Sequence, residues 1–171
     1  MSDTDEVFEI LRDAKLLARR YHRLTGKPLG ITGEVAEYEA ARILGLELEL
    51  ARQAGFDATE TKDGSTVRIQ IKGRYLPDQR KRTGRLGSID LKQPFDTVLL
   101  VLLDVDYNAF AMYEATREAV EILLTRPGSI ARNVRGAVGI RQFQAISVQR
   151  WVRPGELSSP EPDLSKSLAG L

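Results

Sequence analysis

The segment GFDATETKDGSTVRIQIKGRY, residues 55–75, constrains the fold more than any other part of the chain. Asp63-Gly64 divides it into two short alternating runs. An Asp-Gly pair in that position marks a β-hairpin closed by a two-residue type I′ turn, in which both central residues need positive φ. In the second run Val67, Ile69 and Ile71 share one face, and Arg68, Gln70 and Lys72 share the other. Centring the turn on Asp63-Gly64 sets Lys62 opposite Ser65, Thr61 opposite Thr66 and Asp57 opposite Gln70. Facing residues of an antiparallel pair have Cβ atoms about 4.5–5.5 Å apart. Asp57, Gln70 and Lys72 are therefore expected on one polar patch, provided no bulge slips the register by one. A solvated strand face with an Asp57–Lys72 ion pair explains the same spacing.

Elements on either side of the hairpin define its setting. Asp3 to Leu24 reads as a helix, with Val7, Ile10, Leu11, Ala14, Leu17, Ala18, Tyr21 and Leu24 in one apolar stripe. A second helix, GEVAEYEAARILGL, is expected from Thr32 as N-cap, with Val35, Ala36, Ala40, Ile43 and Leu44 inward. Residues 74–93 read as a long loop. DTVLLVLLDVD is apolar enough for a strand buried on both faces, and AFAMYEA pairs with it across a turn at Asp106 to Asn108. Thr116 caps a helix, REAVEILL, that Pro127 stops, and FQAISVQRW reads as a last strand. The order α-α-β-β-β-β-α-β predicts an α/β fold, a central mixed sheet flanked by helices. One domain is expected over residues 1–153, with the Pro/Ser-rich 154–171 as a disordered tail.

Composition narrows the chemistry. With 171 residues, 42% hydrophobic and a net charge of +1, the chain has enough length for a proper core. It has no cysteine, which excludes disulfides, thiolate metal sites and cysteine nucleophiles. Its one histidine, His22, lies in the basic stretch LLARRYHRL and reads as solvated. A catalytic metal would need mainly oxygen ligands, which suits Mg²⁺ or Mn²⁺. No apolar run approaches the roughly 18 residues of a membrane span. The acidic start SDTDEVFEI has no signal-peptide pattern, so the expected location is cytoplasmic, away from membranes.

GFDA, QIKGR and the helix GITGEVAEYEAARIL together resemble the PD-(D/E)XK, or restriction-endonuclease-like, nucleases. That family sets an Asp on one strand and a (D/E)-x-K triplet on the next, and its Mrr-type branch has D…Q-x-K. PFDTVLLVLLDVD resembles the hydrophobic strand that follows. The resemblance implies a restriction-endonuclease-like core and metal-dependent endonuclease activity on DNA. It implies catalytic roles for Glu34, Asp57, Gln70 and Lys72. Mg²⁺ or Mn²⁺ would be held by Glu34, Asp57, the Gln70 amide oxygen and the Ile71 carbonyl. Gln in place of an acid removes one negative charge and should weaken metal binding. Glu34 also suits the positive end of a helix dipole without any catalytic role. Glu37 reads as a further ligand or a solvated acid, and Glu39 as solvated.

Arg74, Arg80, Lys81, Arg82 and Arg85 follow the triplet with only Asp78 opposing them, a pattern suited to phosphate-backbone contacts. Gly84 and Gly87 would let this loop adapt to a ligand, and Tyr75 suits base stacking or packing against the sheet. A homodimer through the first helix is a further expectation. The rival functional reading is a catalytically inactive module of the same fold, acting in DNA binding or assembly.

Overall fold

The structure, a computed structural model, describes residues 3–49, 55–127 and 137–155. Six strands form one sheet in sequence order: β1 (Glu47–Leu48), β2 (Ala58–Lys62), β3 (Ser65–Tyr75), β4 (Thr97–Leu103), β5 (Ala109–Thr116) and β6 (Val148–Val152). β3 and β4 run parallel and the other neighbours antiparallel. Helices α1 (Asp3–Thr25), α2 (Thr32–Leu44), α3 (Arg117–Thr125) and α4 (Ile140–Ala145) flank the sheet. The fold is α/β with a mixed sheet. Two elements carried too little signal to be read from sequence. β1 is only two residues long. α4 takes Phe143, Gln144 and Ala145 from the expected last strand, which begins at Val148 instead. The expected tail lies outside the described residues beyond 155.

The hairpin forms in the expected register. Asp63 and Gly64 both have positive φ, 50° and 77°, and Lys62↔Ser65 through Ala58↔Ile69 are paired. β4 separates two cores, as its unbroken apolar run requires. Val98, Leu100 and Leu102 face one core, and Leu99, Val101 and Leu103 face the other. Parallel neighbours usually need a crossover helix. Here the connection from β3 to β4 lies on the sheet itself and buries Leu76, Leu86, Ile89 and Phe95 in the first core beside α3 and α4. The expected adaptable loop is thus anchored: Leu86 N–H donates to the Val138 carbonyl and Ile140 N–H to that of Gly84.

The second core belongs to α2, which packs tightly on β3 because Gly73 has no side chain. A Cβ there would stand 2.6 Å from both Ala36 Cβ and the Thr32 carbonyl oxygen. Thr32 is the first helical residue rather than the cap. Ile31 precedes it, with no side-chain cap bond.

Three expectations about the helices are corrected. Ala18 is the buried residue of α1, while Ile10, Leu17, Tyr21 and Leu24 of the apolar stripe are exposed. The helix docks instead through Phe8, which meets the Tyr38 ring edge-on at 5.3 Å, and through Lys15, Ala18 and His22. Glu39, read as solvated, is completely buried. Its oxygens accept from Lys15 Nζ at 2.9 Å and from the Ala109 N–H at 2.8 Å, and Arg42 adds a third donor. Burial raises the proton affinity of Glu39, but these donors outweigh it and hold its pKa below the ordinary value. His22 is corrected as well, since it packs edge-on against Tyr75, which stacks on Tyr107 at 4.8 Å.

Candidate active site

β2 pairs with β3 only as far as Ile69, so among the described residues no strand covers the β2 side of β3 beyond that point. Asp57 sits at this corner. Its N–H donates to the Ile69 carbonyl and its own carbonyl accepts from Glu49 N–H, which turns that carbonyl toward β1. The next donor on the β3 edge, Ile71 N–H, is taken by the side chain instead: Asp57 Oδ2 accepts it at 2.7 Å. The ladder therefore ends in a carboxylate held in the notch between two diverging strands.

Gln70 stands beside it on the face expected from the register. Its side chain is only 8% exposed, and Nε2 donates to the Gly55 carbonyl at 3.2 Å. Gly55 is required there twice over. Its φ is +94°, and a Cβ would come within 2.5 Å of Gln93 Cβ. The opposite atom of the amide, Gln70 Oε1, is buried and accepts no hydrogen bond. A buried acceptor without a donor is costly unless another positive partner meets it.

Lys72 completes the group. Burial pushes its ammonium below the usual lysine value, the Asp57 carboxylate pulls it back, Arg74 lowers it and Glu37 raises it again, with a net decrease. No hydrogen bond or ion pair ties Asp57 to Lys72 directly, so the simple salt-bridge reading of the patch does not hold. Glu37 on α2 is half-buried and is the smallest of these electrostatic influences on Lys72. Glu34, one turn earlier, is exposed and makes no hydrogen bond or ion pair among the described residues.

The basic residues of the loop divide into two sets. Arg74 is half-buried. It donates from Nε to the Arg85 carbonyl and from Nη1 to the Gly73 carbonyl at 2.8 Å, and burial lowers its pKa. Arg82 lies over the Phe110 ring at 4.8 Å. These two brace the loop. Arg80, Lys81 and Arg85 are exposed, and Asp78 lies 3.5 Å from the Arg80 guanidinium and 3.6 Å from the Lys81 ammonium. Gly87 passes beside Lys72 Cδ and Arg74 Nη2, so the loop forms one wall of the notch. Tyr75 points the other way, into the second core, and is not available for base stacking.

No family model matches the sequence, and no curated protein does. Among solved structures, a bacterial homing endonuclease is similar at a TM-score of 0.38 and 14% identity. The match covers 52% of this chain and 64% of that one, so the chain spans less than two thirds of that protein's length. With so partial an overlap, the site rests on its own residues.

Those residues fit a small divalent cation in part. The orphaned Gln70 Oε1 and the Asp57 carboxylate are oxygen donors of the type Mg²⁺ or Mn²⁺ takes, and such ions retain several waters. Against this, no group of three or more acidic or histidine side chains converges among the described residues. The notch is suited to a weakly held cation rather than a tightly caged one. No helix among the described residues is long and apolar enough to cross a membrane.

Proposed function

We propose that the notch at the end of β2 hydrolyses DNA phosphodiester bonds with Mg²⁺ or Mn²⁺. The cation would be held by Asp57, the Gln70 amide oxygen and the Ile71 carbonyl, with Glu34 or Glu37 contributing from α2 through water. In this reading the chain is a D…Q-x-K member of the PD-(D/E)XK nucleases. The observation that carries it is the buried, donorless Gln70 Oε1 beside a carboxylate and a lysine: three groups whose demands a hydrated cation and a phosphate would meet together.

When bound, such a cation polarises the phosphoryl group and lowers the pKa of a ligated water. The protein's own residues prepare the site. Ile71 N–H fixes the Asp57 carboxylate, and Gly55 orients the Gln70 amide so that its nitrogen faces the carbonyl and its oxygen is left for the ligand. Lys72 supplies a positive charge in a partly dehydrated place, where it stabilises the developing charge on phosphate more strongly than it would in water. Arg80, Lys81 and Arg85 provide sequence-independent contacts to the DNA backbone.

The test is nicking of supercoiled DNA in Mg²⁺ or Mn²⁺ by wild type, Asp57→Ala and Lys72→Ala. Loss of about 100-fold in both variants, with folding intact, supports the reading. Undiminished nicking by Lys72→Ala overturns it. The scarcity of converging acids favours one alternative, a catalytically inactive DNA-binding or assembly module. That alternative requires DNA binding with no cleavage in either metal.

A further inference from the structure

Ile10, Leu17 and Leu24 recur at intervals of seven along α1 and are 58%, 61% and 79% exposed, with Tyr21 beside them at 40%. The residues that dock α1 on its own domain, Phe8, Lys15, Ala18 and His22, lie roughly 130° further round the helix, at 3.6 residues per turn. α1 therefore carries two separate stripes. One is buried on α2, and the other points away from the domain with nothing described covering it. Large apolar side chains aligned along one exposed helix face mark an interaction surface, whereas single ones do not.

The charges beside this stripe indicate what covers it. The first half of α1 holds Asp3, Asp5, Glu6, Glu9 and Asp13, and the second half and its exit hold Arg19, Arg20, Arg23 and Lys27. Asp106 engages Arg19 at 2.8 Å and lies 3.7 Å from Arg23, which ties those two to the domain. Glu6, Asp13 and Arg20 follow one another along the border of the apolar stripe, acids first and the base last, with Lys27 just past the helix end; Asp13 also lies 3.3 Å from Arg12, an exposed neighbour. Two parallel helices in register would bring acids against acids and bases against bases. Antiparallel packing brings each acid to a base.

We propose that α1 pairs antiparallel with α1 of a second copy of this chain about a two-fold axis through Leu17. Leu17 then meets Leu17 of the partner subunit, and Ile10 meets Leu24 of the partner subunit. Asp13 faces Arg20 of the partner subunit. Each contact off the axis occurs twice, as an isologous interface demands. The two domains project away from the helix pair because their docking stripes lie on the far sides. This interface does not depend on the notch having catalytic activity.

The chain has no cysteine, so single introduced thiols report the geometry. Under mild oxidation Leu17→Cys should form a covalent dimer, whereas Ile10→Cys alone should not, and Ile10→Cys with Leu24→Cys should. In sedimentation equilibrium, Arg20→Glu should weaken the dimer about tenfold, because two attractions become two repulsions. Adding Asp13→Arg to it should restore the wild-type constant. All five positions are on the helix surface, and circular dichroism checks that each variant folds. A wild type that is monomeric at tens of micromolar overturns the proposal, as does cross-linking of Ile10→Cys as readily as Leu17→Cys, the signature of a parallel pair.

Discussion

The carboxylate of Asp57 accepts the Ile71 backbone N–H at 2.7 Å, and so substitutes for the carbonyl that a longer β2 would have offered. One bond thus does two things. It ends the β2–β3 ladder without an orphaned donor, and it fixes the acid beside Gln70 and Lys72. Asp57→Asn should retain packing but present either an amide nitrogen or a weaker acceptor to Ile71 N–H, at a cost of about 1 kcal/mol in urea unfolding. Asp57→Ala leaves that N–H unmet, and about 2 kcal/mol is expected. If the two variants match wild type in stability, the bond contributes nothing to the fold.

Gln70→Glu tests the orphaned oxygen. Without metal the new carboxylate loses the Nε2 bond to Gly55 and sets an anion against a carbonyl, so the melting temperature should fall. Added Mn²⁺ should raise it more for this variant than for wild type. At an effective dielectric of about 20, an added unit charge about 4 Å from another interacts by roughly 4 kcal/mol. A tenfold gain in affinity needs only about 1.4 kcal/mol of that. Calorimetric titration of Mn²⁺ into both proteins reads the difference directly, and equal constants exclude a cation at Gln70.

Glu39 joins α1, α2 and β5 through Lys15, Arg42 and Ala109. Removing one partner of a buried pair leaves the other uncompensated, so Glu39→Ala should cost about 3–5 kcal/mol. Lys15→Ala should cost less, since Glu39 keeps the Ala109 N–H and Arg42. Comparable losses from the two substitutions in urea unfolding would contradict this asymmetry.

Acid should weaken the start of β4. Arg68 donates to Asp96 through its backbone N–H and its guanidinium. Hydrogen bonding from Arg68 is the main cause of an Asp96 pKa lowered to about 2. A depressed carboxylate contributes stability that is complete above its unfolded value of 3.8 and is lost as pH falls through about 2. Because the pair is part-exposed, its full contribution is discounted to about 1 kcal/mol. Asp96→Asn should lower stability by that amount at neutral pH and by progressively less as pH falls from 3.8 through about 2. Urea midpoints measured between these limits check it.

Gly73→Ala would force α2 away from β3, because Ala36 and Thr32 already occupy the space. Overpacking of this kind costs about 1–3 kcal/mol. The movement would also carry the α2 acids, Glu34 and Glu37, away from the strand, so a nicking rate unchanged in a destabilised Gly73→Ala protein would show that they take no part.

Local rules wrote part of this protein into its sequence. Asp63-Gly64 determined the hairpin register from Lys62↔Ser65 to Ala58↔Ile69, because a type I′ turn and the two-residue strand period fix that pairing, whereas Asp57 beyond it bonds the Ile69 carbonyl instead of pairing with Gln70. The apolar run in β4 determined a strand buried on both faces, and Thr116 determined where α3 starts. Tertiary structure decided what depends on the relative phase of distant elements. A helix can bear two apolar stripes, and only docking on α2 selected Phe8 and Ala18 over Ile10 and Leu17. Glu39 looks like any helix-surface acid until Lys15 and the β5 backbone close around it. Gly73 lets α2 sit close on β3, and Arg82 braces the loop because the Phe110 ring, well along the chain, lies beneath it. Side-chain alternation is fixed by neighbouring residues, whereas burial is fixed by whatever packs on top.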